Sequence, residues 1–562
     1  MKLRILFLSL FLLWFNLGFS QPKGVPEYFS YPLSIKPKLN ANFGEMRPNH
    51  FHMGLDLSTE SRENLPVYAP ADGFISRLKI ETGGFGRAIY LDHPNGTTTL
   101  YAHMNEFIPA AENYLEQQQY EQQNWKIDLK VPSGKLPVKK GQLIGYSGNT
   151  GASQGPHVHF EIRDTKTENC LNPLRFRFLL PDVTPPDVFK VVFYDRDRSI
   201  YEQNPVVYPL VRKGGDYEIA SRVELPFENV FIAIQATDRM TGVPNANGIY
   251  ASHLKVDNQW VASFTLDNIS YDQTRYLNGH IDFQHRMKGG AYFQMLFPAK
   301  KMDLSVYKLR DKNFISINEF EQDCEIEVLD AYENKSTVKF SIKRKSGSVP
   351  FVQKNGQLIR AGEVNIFEDE HVQFVFQEDA FYDDFHFSLE SIYASAAHDA
   401  SSVFQTLPAD IPVQSYFKVR IKPSKDLDLL NTDRLVVKRN FRGKTEIKKA
   451  IKEIDGFSAS FRDFGYFQLL HDIQPPQVST HLHQGAKLTT GSRIHFDVID
   501  DLKAIKEFKV TVDGQYLLFK PSGIRYSYVV DEHFPKGEHK LAVLVMDEAG
   551  NTVSKEFQIT RN

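Results

Sequence analysis

The sequence predicts a mainly β protein of several domains, an N-terminal antiparallel-sheet domain followed by two or three β-sandwich domains. Three observations carry this. The 562 residues exceed what one apolar core can organise and point to roughly three to five domains. Phe (43) and Tyr (25) are abundant, a bias toward pleated, half-buried surfaces. Runs alternating apolar and polar residues recur along the chain between Gly-, Pro- and Asn-rich turns.

Residues 1–20 read as a secretory signal peptide. Lys2 and Arg4 precede an apolar run from Ile5 to Phe15, and the small residues Gly18 and Ser20 stand before a cut near Ser20–Gln21. That run is short for a bilayer span of about 20 residues. No other stretch is long enough, so no integral membrane segment is expected after cleavage. The mature protein is therefore expected outside the inner membrane, in the periplasm or cell envelope. The formal net charge of −3 implies no nucleic-acid partner.

Residues 21–180 form the first domain. "GFISRLKIE", "RAIYLDHPNGTTTLYAH" and "HVHFEIR" alternate as strands do, and Asn95-Gly96 marks a hairpin. "GGFG" (Gly83–Gly86) lies between strands and reads as a turn rather than a phosphate loop. "PAAENYLEQQQYEQQ" opens on Pro109 and is rich in helix formers, which predicts a helical insertion over about 109–127.

An internal repeat organises the rest. "DVTPPDV" (182–188) and "DIQPPQV" (472–478) share one pattern. Downstream, "DAYENKSTVKFSI" and "DEAGNTVSKEFQI" share an Asp, an Asn four residues on, and Phe-x-Ile six beyond the Asn. Pro-Pro suits a linker entering an edge strand. Residues 472–562 fit an immunoglobulin-like sandwich in length. Residues 182–345 are a longer copy with an insertion, and 346–470 are a β-rich domain of uncertain type. Cys170 and Cys324 fall in different domains and read as separate thiols, not a disulfide framework.

Metal-ligand residue types cluster in the first domain. His50, His52, Asp56, His93, His103, His157 and His159 fall within about 110 positions of a chain with 18 His. Imidazole with carboxylate suits Zn²⁺, and the scarcity of Cys argues against a thiolate site. His157 and His159 share one face of a strand, and spacing alone leaves open whether both, one or neither binds metal.

Read together, "FGEMRPNHFHMGLDLS", "PVYAPADGFI", "YAHM" and "VKKGQLIGYSGNTGASQGPHVHFEIRD" resemble the M23 family of zinc peptidases, the lysostaphin-like enzymes, over about residues 40–176. Their combination with trailing β-domains is similar to large members from Bacteroidetes-type bacteria. The resemblance implies one Zn²⁺ held by His52, Asp56 and His159, with His103 and His157 as unliganded catalytic histidines. It implies cleavage of peptidoglycan stem peptides, and leaves a cell-envelope partner for the β-domains open. The alternative is a non-catalytic M23-like activator or binding protein for a wall hydrolase. His50 is expected to support the site, His93 to be a solvated turn residue, and Arg47 and Asn49 to line a groove or to be solvated loop residues.

Overall fold

The computed structural model describes residues 28–177, 182–347, 354–396, 398–424 and 429–562. The expected signal peptide lies outside them.

The protein is built almost wholly of antiparallel sheets. In the first domain β1 (Leu39–Ala41), β2 (Leu55–Ser58), β3 (Gly73–Ile80), β4 (Arg87–Asp92), β5 (Thr97–Ala102), β6 (Ile127–Lys130) and β7 (His157–Asp164) align in the order β1-β2-β7-β5-β4-β3-β6. β7 is central, paired with β2 on one side and β5 on the other. Its period of two sorts the residues. Val158, Phe160 and Ile162 are fully buried in the apolar core. His157, His159, Glu161 and Arg163 occupy the alternate positions on the other face, which carries the site.

The hairpin of β4 and β5 turns at Gly96, whose φ of +81° favours glycine. The helix α1 (Pro109–Glu121) starts at the expected proline. It fills most of the insertion expected over about 109–127: Gln123 turns to φ +49° and the chain re-enters the sheet as β6 at Ile127. The Gln- and Asn-rich composition of this stretch does not mark the stop. Tyr120 of α1 stacks on His533 near the C-terminus, with ring centroids 3.8 Å apart.

Downstream come three pairs of sheets. Five- and eight-stranded sheets follow the first domain, then six- and five-stranded ones, then four- and five-stranded ones. The last two units have their own apolar cores, and the third is packed with phenylalanine. The second unit shares a continuous core with the first domain. Their sheets also join: β8 (Cys170–Leu171) pairs with β7 and with β9 (Asn268–Ile269) of the second unit. Cys170 and Cys324 are buried and unpaired with each other.

The sequence repeat closes both outer copies in the same way. The Asn334 side chain donates to Asp330 Oδ2 (2.7 Å) and to the Asp182 carbonyl (3.1 Å). The Asn551 side chain donates to Asp547 Oδ2 (2.9 Å) and to the Asp472 carbonyl (3.0 Å). Each latch ties the end of its unit to the Pro-Pro entry. Asn551→Ala leaves a buried carboxylate and a carbonyl short of a donor. It is expected to destabilise the last unit by about 1–3 kcal/mol, read as a lowered urea midpoint with unchanged slope.

Candidate metal centre

His52, Asp56 and His159 meet beneath the polar face of β7, all three buried. Asp56 lies on β2, which is paired in register with β7 so that Asp56 stands opposite His159. Asp56 Oδ1, His52 Nε2 and His159 Nδ1 are each 3.0 Å from the other two.

The outer nitrogens of the two rings fix what the inner ones can do. His52 Nδ1 lies 2.7 Å from the carbonyl of Asn42, which only accepts, so Nδ1 carries the proton. His159 Nε2 lies 2.9 Å from the Glu161 carboxylate and donates to it. In the neutral rings the inner nitrogens therefore present lone pairs toward each other and toward Asp56 Oδ1. Three electron-rich atoms at this spacing repel unless a cation sits among them. A tetrahedral zinc shell with bonds of about 2.0–2.1 Å sets its ligand atoms about 3.3 Å apart, close to the spacing here. The donor set, two imidazoles and a carboxylate with their far sides hydrogen-bonded, fits zinc.

Without a metal ion, the positive charge among these atoms at neutral pH is a proton on His159. Burial drives the His52 pKa down to about 4. Burial also opposes charge on His159, but hydrogen bonds to Asp56 and Glu161 outweigh it and raise its pKa to about 9. Asp56 is held well below the carboxylate range by the three histidines despite its burial. Arg47 forms an ion pair with Asp56 Oδ2, leaving Oδ1 to face the imidazoles.

His103 and His157 flank this cluster. His157 Nδ1 donates to the Gly155 carbonyl (2.8 Å), and its Nε2 lies 3.4 Å from Asp56 Oδ1. His103 Nδ1 donates to the Thr150 carbonyl (2.8 Å), and its ring centroid is 4.7 Å from that of His157. His103 sits at φ +62°, a left-handed conformation that costs a non-glycine residue of order 1 kcal/mol. Burial, then the neighbouring His159 and His157, lowers its pKa to about 3. The Gly-rich loops seat these residues: a Cβ on Gly86 would stand 2.4 Å from Gly151 N and from Thr150 Oγ1, so only glycine lets the loops carrying Phe85 and Thr150 pack this closely. A groove of about 290 Å³ reaches Asp56 and His157 past Asn40, Ser61 and Gln154.

The other expected residues lie elsewhere. His50 is exposed, its ring held by the Pro48 carbonyl at 2.9 Å, outside the cluster. His93 is not solvated: it is 5% exposed, bonded to the Asp72 carbonyl (2.9 Å) and Thr99 Oγ1 (2.8 Å), because Thr99 on the paired strand offers an inward partner. Asn49 accepts from Asn278 (3.1 Å) and lines a cleft with Arg47, Arg439 and Arg442.

Three supporting residues escape sequence reasoning. Glu161 is fully buried and accepts from His159, from Arg163 Nε (2.7 Å), from Cys170 Sγ (3.3 Å) and from the Tyr271 hydroxyl of the second unit. It was visible as the next residue of the β7 alternation. Tyr271 and Asn42 had no local signal. Asn42 is itself held by two bonds to Gly248 of the second unit (2.7 and 3.0 Å).

The chain is similar to known proteins over this region. Residues 50–120 and 125–173 match peptidase family M23, and residues 356–472 match the Zu5-like domain. Over 136 residues the chain is 33% identical to the DD-carboxypeptidase/endopeptidase Mpg of Neisseria meningitidis serogroup B, covering 24% of this chain and 25% of that protein. Over 138 residues it is 27% identical to the peptidoglycan DD-endopeptidase ShyA of Vibrio cholerae, covering 24% and 26%. The chain thus spans about a quarter of the length of the curated relatives it matches. The catalytic domain of lysostaphin from Staphylococcus simulans aligns at 24% identity over 25% of this chain and 91% of that one, with a TM-score of 0.19.

At pH 7 His52 is neutral, Asp56 is ionised and His159 holds a proton that a metal must displace. Zinc affinity is expected to rise about tenfold per pH unit between 6 and 8 and to level off above about 9. Calorimetry in two buffers of different ionisation enthalpy should read about one proton released; an affinity flat across this range would contradict the proton placement. Tyr271→Phe removes a donor from Glu161 and is expected to weaken zinc binding about tenfold, measured by competition with a chromogenic chelator.

Proposed function

We propose, starting from an N-terminal domain that belongs to peptidase family M23, that this protein is an exported zinc-dependent endopeptidase cutting peptide cross-links of bacterial peptidoglycan. The observation that carries the proposal is the convergence of His52 Nε2, Asp56 Oδ1 and His159 Nδ1, each 3.0 Å from the other two. Among the described residues no helix is long and apolar enough to cross a membrane. Action in the periplasm or cell envelope is part of the proposal, supported by the peptidoglycan endopeptidases among the relatives.

His52, Asp56 and His159 would hold the metal, which when bound supplies Lewis acidity and lowers the pKa of water toward about 7. The chain's own residues do the rest. Arg47 and Glu161 fix Asp56 and His159, so the ligands need no reorganisation during the reaction. His157, its Nδ1 proton held by Gly155, points Nε2 at the cluster, 3.4 Å from Asp56 Oδ1, where it would take a proton from the attacking water and return it to the leaving amine. His103, likewise tied through Nδ1, stands beside His157 as the second proton-handling ring. Stem peptide would enter along the groove past Gln154 and Ser61.

The test is release of cross-linked muropeptides from purified sacculi. His159→Ala is expected to lose both zinc and activity. His157→Ala should keep about one zinc per chain while activity falls about 10²–10⁴-fold. Cleavage that persists in His159→Ala, or that survives removal of zinc by a chelator, would reject the proposed centre.

A further inference from the structure

A second cluster of ligand-type atoms lies where the chain enters the second unit. Oxygens of Asp182, Asp238 and Asp330 come within 4.8 Å of one another, all three side chains buried. Among the described residues, carboxylates alone gather this closely only here. Part of each carboxylate is satisfied. Asp182 Oδ1 accepts from Thr184 N (3.0 Å), Thr241 N (3.0 Å) and Thr241 Oγ1 (2.8 Å). Asp330 accepts from the backbone of Tyr332 and Asn334 and from the Asn334 side chain. Asp182 Oδ2 and Asp238 Oδ1, both buried, have no donor. Among the described residues no lysine or arginine pairs with any of the three; Arg239, next in sequence to Asp238, turns to Asp187 instead (3.0 Å).

The independent observation is Asn247. It is 3% exposed, and neither its Oδ1 nor its Nδ2 has a partner. Its backbone pairs antiparallel with Asp238 through two bonds (2.9 and 2.8 Å). Directly paired residues project their side chains on the same face, so Asn247 and Asp238 share one face of the bridge. A buried amide with both ends unused, paired across the bridge with one of three clustered buried carboxylates, is the mark of an incomplete shell of oxygen ligands. Burying such charges without a partner costs several kcal/mol per group. Hard oxygen donors in an irregular arrangement suit calcium, which tolerates variable geometry, better than magnesium, which demands an octahedron.

We propose that Asp182, Asp238, Asp330 and Asn247 bind a calcium ion at the junction of the peptidase domain and the second unit. Burial and mutual repulsion, which raise the pKa of Asp238 to about 8 and of Asp330 to about 6, agree with a site built around a cation. The ion would pin the 238–247 bridge, and with it Gly248, onto Asn42.

Equilibrium dialysis of the calcium-stripped chain against 10 µM to 10 mM calcium tests this. One equivalent should bind with a Kd of about 10⁻⁴–10⁻³ M. Asp238→Asn should weaken binding at least tenfold and abolish the calcium-induced rise in unfolding temperature. In chelator that variant should unfold no earlier than the wild type, because the substitution removes repulsion without changing shape. Should it fail to fold, Asn247→Ala, which keeps all three carboxylates, should weaken binding about fivefold or more. No binding by the wild type up to 10 mM, or binding undiminished in the folded variants, overturns the proposal.

Discussion

Two imidazole nitrogens and a carboxylate oxygen held 3.0 Å apart, a cluster that needs a positive charge among its atoms, proton or metal ion, are the constraint around which the first domain is built. Such an arrangement is costly alone and stable only around positive charge. It persists because the outer side of each group is fixed: Asn42 and Glu161 set the tautomers of His52 and His159, and Arg47 holds the far oxygen of Asp56. The sheet supplies the remaining precision. Register between β2 and β7 places Asp56 across from His159, and the period of two sends Val158, Phe160 and Ile162 into the core while the polar residues face the site.

Glu161 extends that constraint beyond the first domain. A fully buried carboxylate must be saturated with donors, and its donors come from three places: β7 itself, β8 and the second unit. Paired with positive or donating groups throughout, it stays ionised, its pKa brought down to about 2 by Arg163 and His159 against the effect of burial. Together with the Gly248–Asn42 bonds and the β8–β9 pairing, the second unit touches the support of two of the three metal-ligand candidates.

Much of this was legible in the chain. The β class, the hairpin at Asn95-Gly96, the helix start at Pro109 and the clustering of histidines with Asp56 follow from local patterns, whereas their division into metal-holding and free residues is what the M23 resemblance implies. The residues outside that reach share a physical reason. Tyr271 is 110 positions from Glu161, and Asn42 acts through its backbone carbonyl, so neither carries a side-chain pattern pointing to its partner. His93 was misread because its neighbours in sequence form a turn, whereas its environment is set by Thr99 across the hairpin. The repeat announced two similar units through Asp330–Asn334 and Asp547–Asn551. It did not announce the acidic cluster, since Asp238 and Asn247 join it only through a cross-strand bridge.

The strand pair β8–β9 has a bearing on how such proteins are assembled and borrowed. A peptidase domain that ended at residue 177 would carry away an unpaired sheet edge at Cys170–Leu171 and a Glu161 deprived of its tyrosine. The first two units are in that sense a single heritable piece. Recombination that kept them together would transmit the His52–Asp56–His159 cluster with its supports intact. A chimera cut between them would inherit the ligands without the wall that steadies them.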